Sequence, residues 1–130
     1  MKNDRQKGKS MKYRESEEMY LETILLLQKT KSCVHSVDIA NELEYSRPSV
    51  SRAVGLLQKN GYITMAQSGE ISLTQAGYEK AVSIYERHNV ITKVLMKIGA
   101  DQTVAEENAC RIEHVISDEL MQTLKEFLEK

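Results

Sequence analysis

The segment VDIANELEYSRPSVSRAVGLLQKNG, residues 37–61, contains two short helical patterns separated by a polar turn. Ser46 is a suitable N-cap for the second helix, and Pro48 fits its first turn, where a missing amide hydrogen removes no hydrogen bond. Gly61 is well placed to end this helix in a left-handed conformation. The buried face of the helix is predicted to consist of Val50, Val54 and Leu57. Two short helices joined by a tight turn predict a helix-turn-helix.

A hairpin is predicted directly after this motif. In YITMAQSGEISLT, residues 62–74, β-type residues lie on both sides of Ser68-Gly69, which is a frequent turn sequence. A helix-turn-helix followed by a hairpin is the order of elements in a winged helix. Before the motif, apolar residues recur at helical spacing after an N-cap at Ser16, which predicts one further helix for this domain.

The rest of the chain has the pattern of helices alone. Apolar residues recur at helical spacing over residues 74–98 and about 102–117, and Ser117 can cap a final helix. This is more helix than a winged helix requires, so we expect it to pack against a partner such as a second copy of the chain. The predicted fold is mainly α, with a flexible basic arm (1–14), a winged helix-turn-helix DNA-binding domain (15–74) and an all-helical dimerisation unit (75–130).

Composition excludes several classes of protein. The chain has 130 residues, of which 41% are hydrophobic and 28% charged, as in ordinary soluble domains. No apolar run approaches the roughly 20 residues of a membrane span, and no signal peptide is recognisable, so we expect a cytoplasmic protein without a membrane partner. Two cysteines are too few for a disulfide framework. The basic N-terminal arm predicts either a polyanion partner or a solubilising tail.

The second helix of the helix-turn-helix is the predicted DNA-reading element. In this motif, the N-terminal part of the second helix enters the major groove. Arg52 could pair with a guanine through two hydrogen bonds, while the serines could reach bases or phosphates. The alternative is an ordinary solvated helix face. The predicted contacts to double-stranded operator DNA are Arg47, Pro48, Ser49, Ser51, Arg52 and Lys59.

A second functional motif lies in NACRIEHVISDEL, residues 108–120. Cys110, Glu113 and His114 stand at i, i+3 and i+4, so a helix would place a thiol, a carboxylate and an imidazole on one face. Together they offer sulfur, oxygen and nitrogen ligands to a divalent cation, and at least one more ligand would have to come from elsewhere. The alternative for each residue alone is an ordinary packing role, since free cysteine is often buried.

The chain resembles the family of metal-dependent repressors that contains the diphtheria toxin repressor and the manganese transport regulator. The resemblance runs from about Glu17 to Leu124. It is carried by EMYLETI in the first helix, VDIANEL and SRPSVSRAV in the helix-turn-helix, and ACRIEHVISDEL, which is particularly close to the iron-responsive branch. It implies a transcriptional repressor that binds operator DNA as a homodimer when it holds a divalent metal.

The resemblance also implies a principal metal site formed by Met19 with Cys110, Glu113 and His114. Met19 precedes the DNA-reading elements, so its coordination would join the DNA-binding and dimerisation helices. In the manganese branch, the positions of Met19 and Cys110 carry carboxylates. Two sulfur donors favour Fe(II) over a hard-oxygen manganese site. Mn(II) is the alternative, and zinc, cobalt or nickel could substitute in vitro.

A possible second metal site is implied by the same resemblance. His88 matches the first histidine of the ancillary site of the family. The carboxylate expected one turn later is Thr92 here, and another expected histidine is Glu106. Glu22 occupies a position that provides a carboxylate in the manganese branch. A second metal bound by His88, Glu106 and Glu22 is one hypothesis, and a set of ordinary helical side chains is the other.

Two other classes of function can be compared with a metal-dependent repressor. A metalloenzyme with Glu113 as base would need an open site and a substrate pocket, and no HExxH or similar pattern occurs. We therefore expect neither enzymatic activity nor a small-molecule substrate. A winged-helix regulator that senses oxidants through Cys110, without metal, is the other possibility. Cys110→Ser would impair both kinds of regulator, whereas His114→Ala would impair the metal sensor.

Overall fold

The structure, a computed structural model, describes residues 9–130, with side chains from residue 17 onward. It confirms the predicted fold class, a mainly α winged helix-turn-helix followed by helices. The residues form two compact units, one ending at Val82 and the other comprising Ser83–Lys130. The elements are α1 (Lys9–Thr30), α2 (Ser36–Leu43), α3 (Arg47–Lys59), β1 (Ile63–Met65), β2 (Ile71–Leu73), α4 (Gln75–Lys97), α5 (Gln102–Ile112) and α6 (Asp118–Glu129).

The first helix begins earlier in the chain than predicted. α1 starts at Lys9, well before the predicted N-cap Ser16. Lysine, methionine, arginine and glutamate dominate this stretch and are good helix formers, so the helix continues through Ser16. The predicted basic arm, residues 1–14, therefore overlaps α1 from Lys9, and its first eight residues lie outside the described part of the chain.

The helix-turn-helix has the predicted caps and buried face. Ser46 Oγ accepts a hydrogen bond from the Ser49 amide at 3.3 Å, and Pro48 lies in the first turn of α3. Gly61 has a φ of +84°, a left-handed conformation that glycine adopts without steric cost. The inward face of α3 consists of the buried residues Val50, Val54 and Leu57.

The wing is a short antiparallel hairpin that α4 follows closely. β1 and β2 pair with Ile63 opposite Leu73 and Met65 opposite Ile71, and both isoleucines are buried. The first turn of α4 then passes so near the end of α3 that a Cβ on Gly77 would lie 2.0 Å from the Tyr62 carbonyl oxygen. Only glycine fits this approach. It fixes the start of α4 against the backbone that leads into the wing.

The second unit is built around a small apolar cluster. Ile91 on α4, Ala109 on α5 and Met121 on α6 form its buried centre. Asp101 caps α5, and Ser117 caps α6, each by accepting a hydrogen bond from an amide in the first turn. The residues packed against the centre are Val90, Leu95, Ile112, Ile116 and Leu124.

α5 is shorter than the sequence pattern predicts. It ends at Ile112, and Ser117 adopts the extended backbone of an N-cap, with φ −75° and ψ 157°. Because the N-cap of α6 is extended, the chain between α5 and α6 leaves the helical conformation. Within residues 9–130, no helix is both long and apolar enough to cross a membrane.

Candidate metal centre and DNA-binding helix

Four potential metal donors contact one another within the second unit. His88 Nδ1 lies 2.8 Å from Glu113 Oε1 and 3.9 Å from Cys110 Sγ. The other carboxylate oxygen, Glu113 Oε2, lies 3.3 Å from His114 Nε2. The Glu113 carboxylate is therefore placed between two imidazoles. The sequence predicts His88 as part of a separate second site, whereas the structure places it beside Glu113 and Cys110, two residues predicted for the principal one.

The local backbone explains how these side chains converge. Cys110 is in the last turn of α5, and Glu113 directly follows the helix with αR dihedral angles. The Glu113 amide still donates to the Ala109 carbonyl, so the helical spacing between Cys110 and Glu113 is preserved beyond the end of the helix. His88 comes from α4, which packs against α5 through the apolar cluster.

The chemistry of this donor set fits a divalent transition metal. Imidazole nitrogen, carboxylate oxygen and cysteine sulfur together are ligands of intermediate softness, which suit iron, cobalt and zinc. The Glu113 side chain is 1% exposed, and a carboxylate this deeply buried is stable only beside a cation or strong hydrogen-bond donors. Cys110 is exposed, so one edge of the cluster is open to solvent.

Arg87 fixes the chain segment that carries Glu113 and His114. Its Nη1 donates to the Glu113 carbonyl at 3.0 Å and to the Ile116 carbonyl at 3.2 Å. Its Nη2 pairs with Asp118 at the start of α6. Sequence reasoning missed this residue, because the spacing of charged residues does not reveal which backbone carbonyls will lie near an arginine side chain.

The residues predicted for a second metal site do not all belong to the second unit. Glu106 is exposed and accepts a hydrogen bond from Gln102 at 3.3 Å. Within residues 17–130, no hydrogen bond or ion pair joins it to His88. Thr92 is buried one turn after His88 and provides a hydroxyl instead of a carboxylate. Glu22 lies half-buried on α1, in the first unit.

Met19 also lies in the first unit, where it is half-buried on α1. Its Sδ accepts a hydrogen bond from the Tyr45 hydroxyl at 3.6 Å. Tyr45 in turn packs edge-on against Tyr20, with ring centroids 6.1 Å apart. Burial raises the pKa of Tyr20, and Tyr45 raises it further, while the charge of Arg52 opposes the shift.

The predicted DNA-reading residues lie on the outer face of α3. Arg47, Pro48, Ser51, Arg52 and Lys59 are exposed, and Ser49 is half-buried. Ser49 Oγ accepts hydrogen bonds from Ser46 Oγ at 3.0 Å and from Arg52 Nη2 at 3.5 Å. These contacts hold the Arg52 guanidinium near the N-terminal half of the helix. In a helix-turn-helix, that half faces the major groove.

A winged helix-turn-helix followed by helices with clustered nitrogen, oxygen and sulfur donors is the organisation of a metal-responsive DNA-binding regulator. Comparison with known families agrees with this class. Residues 12–70 match the family described as iron dependent repressor, N-terminal DNA binding domain. Residues 74–130 match the iron dependent repressor, metal binding and dimerisation domain. The chain belongs to the iron dependent repressor family, which confirms the resemblance and the expectation of a regulator, not an enzyme.

The relatives of this chain include transcriptional regulators and repressors. An uncharacterized HTH-type transcriptional regulator of Methanocaldococcus jannaschii is 33% identical over 89% of this chain and 94% of its own length. The diphtheria toxin repressor of Corynebacterium diphtheriae is 33% identical over 85% of this chain, which spans 50% of that repressor. The solved structure of the manganese regulator SloR is 28% identical, with a TM-score of 0.77, over 87% of this chain and 53% of SloR.

Proposed function

We propose that this chain is a metal-dependent transcriptional repressor that binds operator DNA as a homodimer when it holds Fe(II). The observation that carries the proposal is the contact of His88, Cys110, Glu113 and His114 within the unit that matches the metal binding and dimerisation domain. The preceding unit exposes the hydrogen-bonding face of α3. Membership of a family described as iron dependent repressors supports the same function.

The proposed ligands are Met19 with Cys110, Glu113 and His114. These four residues would hold the metal, which would supply coordinate bonds to a thioether, a thiolate, a carboxylate and an imidazole. Met19 belongs to the unit that carries α3, and the other three belong to the second unit. Sharing one ligand set would therefore restrain the DNA-binding unit of each protomer. In a dimer, two recognition helices must meet half-sites about 34 Å apart, so this restraint would favour binding.

Fe(II) is proposed on the basis of donor softness. Met19 and Cys110 provide a thioether and a thiol, and sulfur donors favour iron over manganese. The competing hypothesis is a manganese-responsive regulator, which the likeness to the manganese regulator SloR supports. His88 is proposed as a further ligand, since its Nδ1 is already 2.8 Å from Glu113. Glu22 and Glu106 stay candidates for a second ion.

The first experiment compares DNA binding with and without metal under anaerobic conditions. Binding fragments would be selected from random-sequence DNA by purified protein with Fe(II), Mn(II), Zn(II) or a chelator. Metal coupling typically changes affinity by about 5- to 150-fold, so we expect enrichment of a two-fold symmetric site with metal and little enrichment with chelator. Equal affinity for the selected site with and without chelator would refute metal dependence.

Variants separate the metal-dependent repressor from a thiol sensor. Both Cys110→Ser and His114→Ala should abolish the response to Fe(II), because each removes a proposed ligand. Glu106→Gln is the matched control, since Glu106 is exposed and contacts Gln102. A protein that loses regulation in Cys110→Ser but keeps it in His114→Ala would be a thiol sensor. Titration midpoints with Fe(II) and Mn(II) then decide between the two metals.

A further inference from the structure

Tyr45 lies between two parts of the first unit that the proposed function couples, the proposed metal ligand on α1 and the N-terminus of α3. It lies in the turn between α2 and α3, directly before Ser46, the N-cap of the recognition helix. Its hydroxyl donates a hydrogen bond to Met19 Sδ on α1 at 3.6 Å. Tyr45 thus contacts a proposed metal ligand through its side chain and adjoins the recognition helix through its backbone.

Both ends of Tyr45 are restrained. Its ring packs edge-on against Tyr20, at an interplanar angle of 60°, and Tyr20 is itself buried. Its amide donates to the Ala40 carbonyl at 3.1 Å, and the preceding Glu44 is left-handed, with a φ of 58°. The hydroxyl therefore has little freedom to follow Met19 by side-chain rotation. A shift of the Met19 sulfur would therefore displace the turn between α2 and α3.

The chemistry of a thioether permits this contact in the metal-bound state as well. Methionine sulfur has two lone pairs and is a weak hydrogen-bond acceptor. One lone pair can bind a soft metal while the other accepts from Tyr45. Groups that hydrogen-bond to metal ligands orient those ligands, and their loss commonly weakens metal binding. The tyrosine hydroxyl can play this part for Met19.

We propose that Tyr45 is the positioning residue that couples coordination by Met19 to the orientation of the recognition helix. The hydroxyl holds the sulfur in one orientation, so coordination favours the position of the turn that is compatible with this hydrogen bond. The inference rests on the proposed function and names the contact through which that function acts within the first unit. Coupling through a contact of this kind is established by combining substitutions, not by proximity alone.

The central test is Tyr45→Phe, which keeps the ring against Tyr20 and removes only the hydroxyl. The quantity measured is the ratio of DNA affinities with Fe(II) and with chelator, under anaerobic conditions. Loss of the hydrogen bond to Met19 should reduce this ratio about three- to tenfold. Tyr78→Phe is the matched control, because Tyr78 on α4 is 49% exposed. That control should keep the wild-type ratio.

Two further measurements test whether the effect of Tyr45 depends on its contact with Met19. In a Met19→Leu background, Tyr45→Phe should cause no additional change in the ratio, because the contact between the Tyr45 hydroxyl and Met19 Sδ is already lost. In metal-free protein, the Met19 methyl resonance should shift in Tyr45→Phe and stay in place in Tyr78→Phe. A further loss in the Met19→Leu background would overturn the inference.

The remaining outcomes distinguish failure of the role of Tyr45 from failure of the proposed function. An unchanged ratio in Tyr45→Phe would overturn the inference, as would an equal loss of DNA affinity with and without metal, which would mark the hydroxyl as a DNA contact. Wild-type protein that ignores Fe(II) would refute the proposed function itself. Wild-type protein that responds, together with a fully responsive Tyr45→Phe, would refute the role of Tyr45 alone.

Discussion

Replacing Arg87 by methionine tests whether α4 holds the chain segment that carries two proposed metal ligands. Methionine retains a long apolar side chain but lacks the guanidinium. In the wild type, that group donates to the carbonyls of Glu113 and Ile116, at 3.0 and 3.2 Å, and pairs with Asp118. The substitution therefore leaves two carbonyls in the segment between α5 and α6 without this donor.

The expected loss follows from these contacts. A hydrogen bond from a charged donor contributes about 1.5–3 kcal/mol. The Arg87 side chain is 19% exposed, whereas the Asp118 side chain is 95% exposed, so the ion pair is largely screened and the carbonyl bonds dominate. Two bonds taken at the lower end of the range give a loss of about 3 kcal/mol in the free energy of unfolding.

Urea unfolding followed by circular dichroism measures this loss. The matched control is Asp118→Asn, which removes the ion pair alone and should leave the free energy of unfolding close to that of the wild type. Arg87→Met should also bind Fe(II) more weakly, because Glu113 and His114 occupy the loosened turn. The reasoning fails if Arg87→Met costs less than about 1 kcal/mol, or if Asp118→Asn costs as much.

Four further substitutions have defined outcomes. Gly77→Ala should lower the free energy of unfolding by about 2–3 kcal/mol, because the added Cβ would clash with the Tyr62 carbonyl. Gly55→Ala is the control: Gly55 has open space around it, so alanine should stabilise α3. Thermal unfolding should show a loss of about 1 kcal/mol in Ser46→Ala, which lacks the N-cap acceptor. Arg52→Ala should relax base preference at one operator position by about 1–3 kcal/mol in competition binding, and a uniform loss across sequences would instead indicate a phosphate contact.

Much of the fold could be predicted because its signals are local. Ser46 and Ser117 are recognisable as N-caps, and the apolar spacing of α3 is visible without any tertiary context. Gly61 adopts the left-handed conformation that its position implies. The start of α1 was mispredicted, because a serine within a run of good helix formers need not begin a helix.

For the candidate site, the sequence by itself determined the donors that share one segment. Cys110, Glu113 and His114 stand at spacings that any helical turn brings to one side, so their association is a property of the local backbone. The resemblance carried by the same segment predicted a metal-binding role for these donors. Neither source could show that His88 belongs beside Glu113, because 25 residues separate them in sequence.

Only the tertiary structure decided which distant residues surround those donors. Ile91, Ala109 and Met121 set how α4 meets α5 and α6, and this packing brings His88 and Arg87 to the end of α5 while Glu106 stays exposed. The contact of Tyr45 with Met19 arises in the same way, from the packing of α1 against the helix-turn-helix. Periodicity shows which face of a helix is buried, but the helix that covers this face is chosen by the packing of the whole unit.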